Sequence, residues 1–384
     1  MNATLSPDGA MPTPIPVRRR AGLDRIVGLD VARALAVFGM LGAHFGGVPP
    51  DVRAASSSWL GLVNGRPSIL FAVLAGVSIA LLSGRAVPVT GGDLVRARTR
   101  ILVRAAWVFV IGVALEALGT DIDVILGVYA ILFVLALPFL RWPPRRLLLA
   151  AAVLAVLTPP TALMLTLWAQ ATDSEDSPFV QLTLNGPYPA LMWWTFILVG
   201  LAVGRSDLTS RWVRAQLMVV GASLAVLGYG AGWVTTRWWG QAASAQAWVD
   251  GEVAPRTWSL AWLSGAAPHS GTTFEIVGSV GVALVVIGVC LIIADLLPLL
   301  TFPLASMGSM ALTAYTGSVV AAIFLGDSEG IRTWMALMSG TVVLATTWRL
   351  LLGKGPLERL LAWSSAWAGT LALRYLAPQP KLPS

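Results

Sequence analysis

Three ionisable side chains interrupt the apolar stretch from Arg25 to Gly47: Asp30, Arg33 and His44. Such groups are costly inside a segment of membrane-crossing length, and they mark function where they face a bundle interior or a wet cavity. At about 100° per residue, Arg33 and His44 fall roughly 20° apart on one helix face and about 16 Å apart along its axis. An imidazole can serve as a general base near neutral pH, and a guanidinium can hold an anionic ligand. Asp30, one turn before Arg33, has a plainer reading as half of an ion pair that ties helices together.

A second group occupies Pro268-His269-Ser270-Gly271-Thr272-Thr273-Phe274-Glu275. Glu275 falls just inside a long apolar run, at the depth expected for His44. A carboxylate bonded to a histidine orients the ring and stabilises its charged form. His269 and Ser270 read equally well as part of a helix cap or as contacts for a substrate. Tyr188 lies in Asn185-Gly186-Pro187-Tyr188-Pro189, which is turn chemistry with an interfacial tyrosine and a second place for a polar substrate contact. Ser318, on the polar face of a later span, is placed to line a cavity. Arg96, Arg98, Arg100 and Arg104 crowd one short stretch, where they orient the chain by charge or dock a phosphorylated ligand. The sequence holds no phosphate-binding P-loop, dinucleotide glycine fingerprint, HExxH pair or metal-ligand cluster.

The elements that carry these residues are membrane helices. Of 384 residues, 56% are hydrophobic and 12% charged, with mean hydropathy +0.76; a soluble domain carries about 25% charged residues. The net charge of +7 does not indicate nucleic acid, because the basic residues sit in short links between apolar runs. The single cysteine, Cys290, rules out a disulfide within the chain. The composition predicts an all-α polytopic membrane protein, a bundle of about ten or eleven spans near 26–46, 67–84, 100–119, 123–140, 146–168, 188–204, 213–235, 273–297, 302–325, 331–352 and 357–376. The last either crosses or lies in the interface. Residues 1–21 read as a disordered cytoplasmic tail, 22–376 as one transmembrane domain and 377–384 as a short tail.

Links alternate in charge. Arg18, Arg19, Arg20 and Arg25, then Arg85 to Arg104, then Arg141, Arg145 and Arg146, then Arg205, Arg211 and Arg214 mark one side. Glu116, Asp121 and Asp123, then Asp173, Glu175 and Asp176, then Asp327 and Glu329 mark the other. The positive-inside rule puts the N-terminus in the cytoplasm. Two outer segments, 169–187 and 236–272, are long enough to suggest function. The second holds Trp238, Trp239, Trp248, Trp258 and Trp262, which suit the membrane–water interface or a groove for an acceptor.

Leu29-Asp30-x-x-Arg33 with His44, NGRPSILFAVLAGVSIALLSGR at 64–85, NGPYPAL at 185–191, PHSGTTFEIVGSVGVAL at 268–284, MGSMALTAY at 307–315 and GPLERLL at 355–361 carry a resemblance. The chain resembles the heparan-alpha-glucosaminide N-acetyltransferase-like and DUF418 (YeiB-like) transmembrane acyltransferase superfamily over residues 22–365. The resemblance implies a multi-pass plasma-membrane enzyme. It would take acetyl-CoA or another acyl-CoA from the cytoplasm and pass the acyl group to a small-molecule, glycan or lipid acceptor at the outer side. It implies no metal and no nucleic acid, and a homo-oligomer is compatible with it. The chain departs from the heparan-type pattern at Ser56-Ser57-Ser58-Trp59, where that branch carries a histidine. In this reading His44, Glu275 and His269 are catalytic, and Asp30, Arg33, Arg98, Arg100, Tyr188 and Ser270 bind substrate or donor. The alternative is a transporter for a small metabolite or lipid, with the same intramembrane groups as a proton relay.

Overall fold

A computed structural model describes residues 25–45, 65–119, 122–185, 187–239, 258–325 and 330–376. The two tails, Asp121, Trp248, Asp327, Glu329 and the Ser56–Trp59 stretch lie outside the described residues. Within them the fold is helical, without strands. Twelve helices of ten residues or more follow in order: α1 Val27–Phe45, α2 Arg66–Leu82, α3 Gly91–Glu116, α4 Leu126–Leu135, α5 Pro144–Ala171, α6 Ala190–Gly204, α7 Arg211–Trp239, α8 Thr273–Leu296, α9 Pro298–Gly308, α10 Ala311–Leu325, α11 Ile331–Leu352 and α12 Pro356–Leu376. By length and composition α1, α5, α7, α8 and α11 can each cross a membrane, and α2, α4, α6 and α10 are shorter apolar helices. This is an all-α polytopic membrane protein.

One expected span takes a different form. The apolar run at 302–325 is split, because α9 stops at Gly308 and α10 starts at Ala311. Glu358 of α12 caps the new helix start, accepting from Leu312 N and Thr313 N at 2.9 and 3.1 Å. The run at 357–376 packs along α3. Ser365 meets Arg104 and Gly369 meets Arg96 and Arg100, so α12 runs antiparallel to α3.

Small residues set the tightest contacts. A Cβ on Gly200 would lie 1.9 Å from Val73 O, and one on Gly76 would lie 2.3 Å from Ile197 O. The main chains of α2 and α6 therefore touch, and the two helices run parallel. At their far ends Arg205, which is buried, gathers three carbonyls from the turns that follow α2 and α4. It donates to Ser83 O, Arg85 O and Leu140 O at 3.1, 2.6 and 2.5 Å. Burial lowers its pKa to about 10, which leaves it charged at neutral pH. This pole, with Arg25, Arg33 and Arg349, is the basic end. The pole with Asp123, Tyr188 and His269 is the acidic end.

Candidate functional site

At the acidic end the α8 N-terminus folds back on the loop before it. Thr272 is the N-cap, and its Oγ1 accepts from Glu275 N at 3.2 Å and donates to Gly265 O at 2.7 Å. The Glu275 carboxylate, 5% exposed, reaches beyond the cap. It accepts from His269 N at 2.6 Å, Gly271 N at 2.7 Å and Ser270 Oγ at 3.4 Å. Three residues in this loop have left-handed backbones, Gly265 at φ 85°, His269 at φ 65° and Gly271 at φ 64°. Glycine adopts that conformation freely, whereas a histidine there holds strain that its surroundings must balance. Gly271 is required for a second reason, since a Cβ would lie 2.0 Å from Met192 Sδ.

The His269 ring is held on several sides. Its N–H donates to the Pro187 carbonyl. Tyr188 stands edge-on to it, with ring centroids 5.9 Å apart and planes at 63°. Gly65 closes another side, because a Cβ there would lie 3.3 Å from His269 Nε2. Burial pushes the imidazole pKa below its ordinary 6.5, and the Pro187 bond and the Asp123 charge offset this only in part. The ring is neutral at neutral pH, as a general base must be. Burial, with Tyr315 and Asp123 nearby, pushes the Tyr188 phenol well up, so it stays protonated. A small cavity of about 20 Å³ lies against His269, Glu275, Pro187, Met192, Trp193 and Phe196, room for about one water.

The expected residues fall into separate groups. His269, Ser270, Tyr188 and Glu275 come together. Glu275 orients the loop through its main chain. His44 stands half-buried in the last turn of α1. There Phe45 O accepts from Gly330 N, and Trp334 Nε1 donates to Phe38 O at 3.1 Å, so this end of α1 rests on α11. Asp30 and Arg33 form a node at the basic end. Asp30, 2% exposed, accepts from Arg25 Nε at 2.5 Å and Arg33 Nη1 at 2.6 Å, and Arg33 Nη2 donates to Ser78 Oγ at 3.0 Å. Arg349 lies over the Phe302 ring at 5.0 Å, and its Nη1 is buried without a hydrogen-bond partner. One carboxylate thus faces three guanidiniums. Arg98 and Arg100 part company, with Arg98 exposed and Arg100 on the face toward α12. Ser318 lines a mainly apolar cavity of about 380 Å³ between α10 and α11 and approaches Thr341 Oγ1 at 3.5 Å.

Other residues join the site without a strong signal in the sequence. Arg66 opens α2 beside Gly65. Its Nε donates to Tyr229 Oη at 2.8 Å, and its guanidinium lies 4.7 Å from that ring's centroid. Tyr229 Oη in turn shares a 2.8 Å bond with Ser279, which links α2, α7 and α8. The available signal is an arginine that opens an apolar run at the acidic end, against the charge pattern. Tyr129 Oη donates to Ser68 O at 3.1 Å, and Tyr129 and Tyr315 are buried near Tyr188; nothing in the sequence separated them from ordinary packing.

These features define a membrane-embedded helical bundle with a pinned neutral histidine at one pole and an arginine-rich node at the other. Residues 25–231 match the family described as heparan-alpha-glucosaminide N-acetyltransferase, catalytic. The match covers more than half of the chain, which belongs to that family of membrane acetyltransferases. It runs from α1 into α7, so Arg66 and Tyr188 fall inside it while His269 and Glu275 lie beyond it. No curated protein matches the chain. Among the described residues no three His, Cys, Asp or Glu side chains converge as metal ligands would.

Proposed function

We propose that this protein moves an acyl group, acetyl in the first instance, from a coenzyme A thioester to a hydroxyl or amine acceptor. The donor enters from the cytoplasm at the basic end, and the acceptor binds at the acidic end of a plasma-membrane bundle. The observation that carries the reading is His269, a neutral imidazole held in a strained backbone by Glu275 and boxed in by Gly65, Pro187 and Tyr188. Membership of a membrane acetyltransferase family supplies the reaction class.

In this reading the acceptor O–H or N–H gives its proton to His269 while its lone pair attacks the thioester carbonyl. The C–S bond breaks as the tetrahedral intermediate collapses. The coenzyme A sulfur leaves and recovers the proton from the imidazolium. Tyr188 and Ser270 place the acceptor. Arg25, Arg33 and Arg349 carry excess positive charge to meet the donor phosphates. Thirteen residues of α2 separate Ser78, bonded to Arg33, from Gly65, packed on His269, a rise of about 20 Å. A donor with a long flexible arm suits that separation.

The test is purified full-length protein with labelled acetyl-CoA and a panel of alcohol and amine acceptors. Acyl transfer should be lost in His269→Ala. His44→Ala reports whether the second imidazole shares the chemistry. Absence of both transfer and thioester cleavage, with metabolite flux in vesicles altered by the same variants, would replace the enzyme reading by the carrier one.

A further inference from the structure

Arg96, Arg100 and Arg104 recur every four residues on α3, so they share one face of that helix. The face is turned toward α12. A Cβ on Gly369 would lie 3.0 Å from Arg96 Cγ and 3.1 Å from Arg100 Cγ, so their stems grip that glycine. Arg104 Nε donates a long 3.4 Å bond to Ser365 Oγ. The facing stripe of α12, Ser365, Gly369 and Ala372, is buried and small and carries no acid. Among the described residues no carboxylate pairs with any of the three arginines. Asp93, one turn before Arg96, is exposed. Glu358 spends its oxygens on Leu312 N, Thr313 N and Thr313 Oγ1. The ε N–H groups of Arg96 and Arg100 are buried and have no hydrogen-bond partner, although each side chain as a whole is only half-buried.

Like charges one turn apart repel, and a buried donor left unpaired is destabilising. A ladder with both defects calls for an anion. We propose that the α3–α12 seam binds the phosphodiester of an anionic phospholipid from the leaflet at the basic end. Helical side chains lean toward the helix N-terminus, which for α3 is the basic end, so the guanidiniums reach for the headgroup layer. The seam stands on the rim of the bundle. Leu102, Phe109 and Val110 of α3 and Trp363 and Trp367 of α12 are exposed beside it, and tryptophans anchor at the interface. A phosphate there takes two parallel N–H bonds from one guanidinium and supplies the missing counter-charge. Basic clefts between membrane helices on the cytoplasmic side bind such headgroups. The site is distinct from the donor node, which is built from α1, α2, α9 and α11.

The test uses full-length protein in nanodiscs or mild detergent. Added phosphatidylglycerol or cardiolipin should raise the unfolding temperature in a concentration-dependent way and stay bound in native mass spectrometry, whereas phosphatidylcholine should do neither. Arg96→Gln with Arg100→Gln should abolish the rise and the retained lipid, while Arg98→Gln, which removes the same charge from another face, should keep both. If the double variant does not fold, Arg96→Lys with Arg100→Lys, which keeps charge but loses the paired N–H geometry, should weaken lipid retention. An undiminished lipid effect in these variants overturns the proposal. So does an equal temperature rise with coenzyme A or pyrophosphate in phosphatidylcholine that the glutamine pair abolishes, because the seam would then take a soluble phosphate. Acyl-transfer assays play no part in the readout, so this result stands or falls apart from the enzymatic reading.

Discussion

Glu275→Ala tests whether one carboxylate holds the histidine loop. The substitution orphans two main-chain donors, His269 N and Gly271 N, now held at 2.6 and 2.7 Å. Each buried, unsatisfied N–H costs about 1–3 kcal/mol, so together they come to about 2–6 kcal/mol. The left-handed backbone of His269 holds about 1–3 kcal/mol of strain, which then has nothing to oppose its release. The loop opens locally before the bundle unfolds. At 1.4 kcal/mol per factor of ten, even the lower figure raises the open population about 30-fold. Hydrogen exchange across residues 265–276 of the full-length protein should show that loss of protection, with the transmembrane helices unchanged. Glu275→Gln, which retains one acceptor oxygen, should fall between. His269→Gly should relieve the strain and slow exchange at Gly271. If Glu275→Ala exchanges like the parent while still folded, the carboxylate does not hold the loop and the pinned-imidazole account is wrong.

The pH dependence of acyl transfer should reflect the lowered His269 pKa, with the acid limb of kcat/KM falling below pH 6.5; a limb above that value would contradict the burial argument. The same shift has a stability consequence, because the unfolded chain takes up the proton first, so thermal stability should decline as pH falls below about 6.5 and His269→Gln should remove that part of the decline. Asp30→Asn strands Arg25 and Arg33 without a counter-charge and should cost about 1–3 kcal/mol in chemical denaturation. That is less than a fully buried pair, since the Arg25 side chain is 45% exposed. Gly271→Ala should destabilise the loop through both its φ and the Met192 contact, and Met192→Ala should recover only part of the loss, visible in exchange of the same peptides.

The all-α membrane class and the rough placement of the helices were legible because apolar runs of crossing length have few other uses in a chain this poor in charge. Ile331–Leu352 coincides with its expected limits. The α9–α10 break was not legible, because hydropathy continues through Gly308 and Ser309 and only the cap from distant Glu358 exposes it. The direction of α12 depended on three arginine stems finding a small-residue face on another helix, which no one-dimensional pattern encodes. At the site, the local group from His269 to Glu275 could be read from spacing. The partner of Glu275 could not, because the left-handed turns at His269 and Gly271 bring two main-chain donors to its carboxylate. Tyr188 meets the histidine through the segments that lead into α6 and α8, which are far apart in sequence.

The backbone-to-backbone seam of α2 and α6 decides which wall of the outer mouth can give way. Gly65 and Arg66 ride on one of these helices, Tyr188 and Pro189 on the other, and Arg205 staples their opposite ends together. Those two rims travel as a single jaw. In the acyl-transfer reading, an acceptor reaches the imidazole only where the facing segment, the one leading into α8, gives way to it. In that segment two left-handed glycines, Gly265 and Gly271, flank the histidine itself.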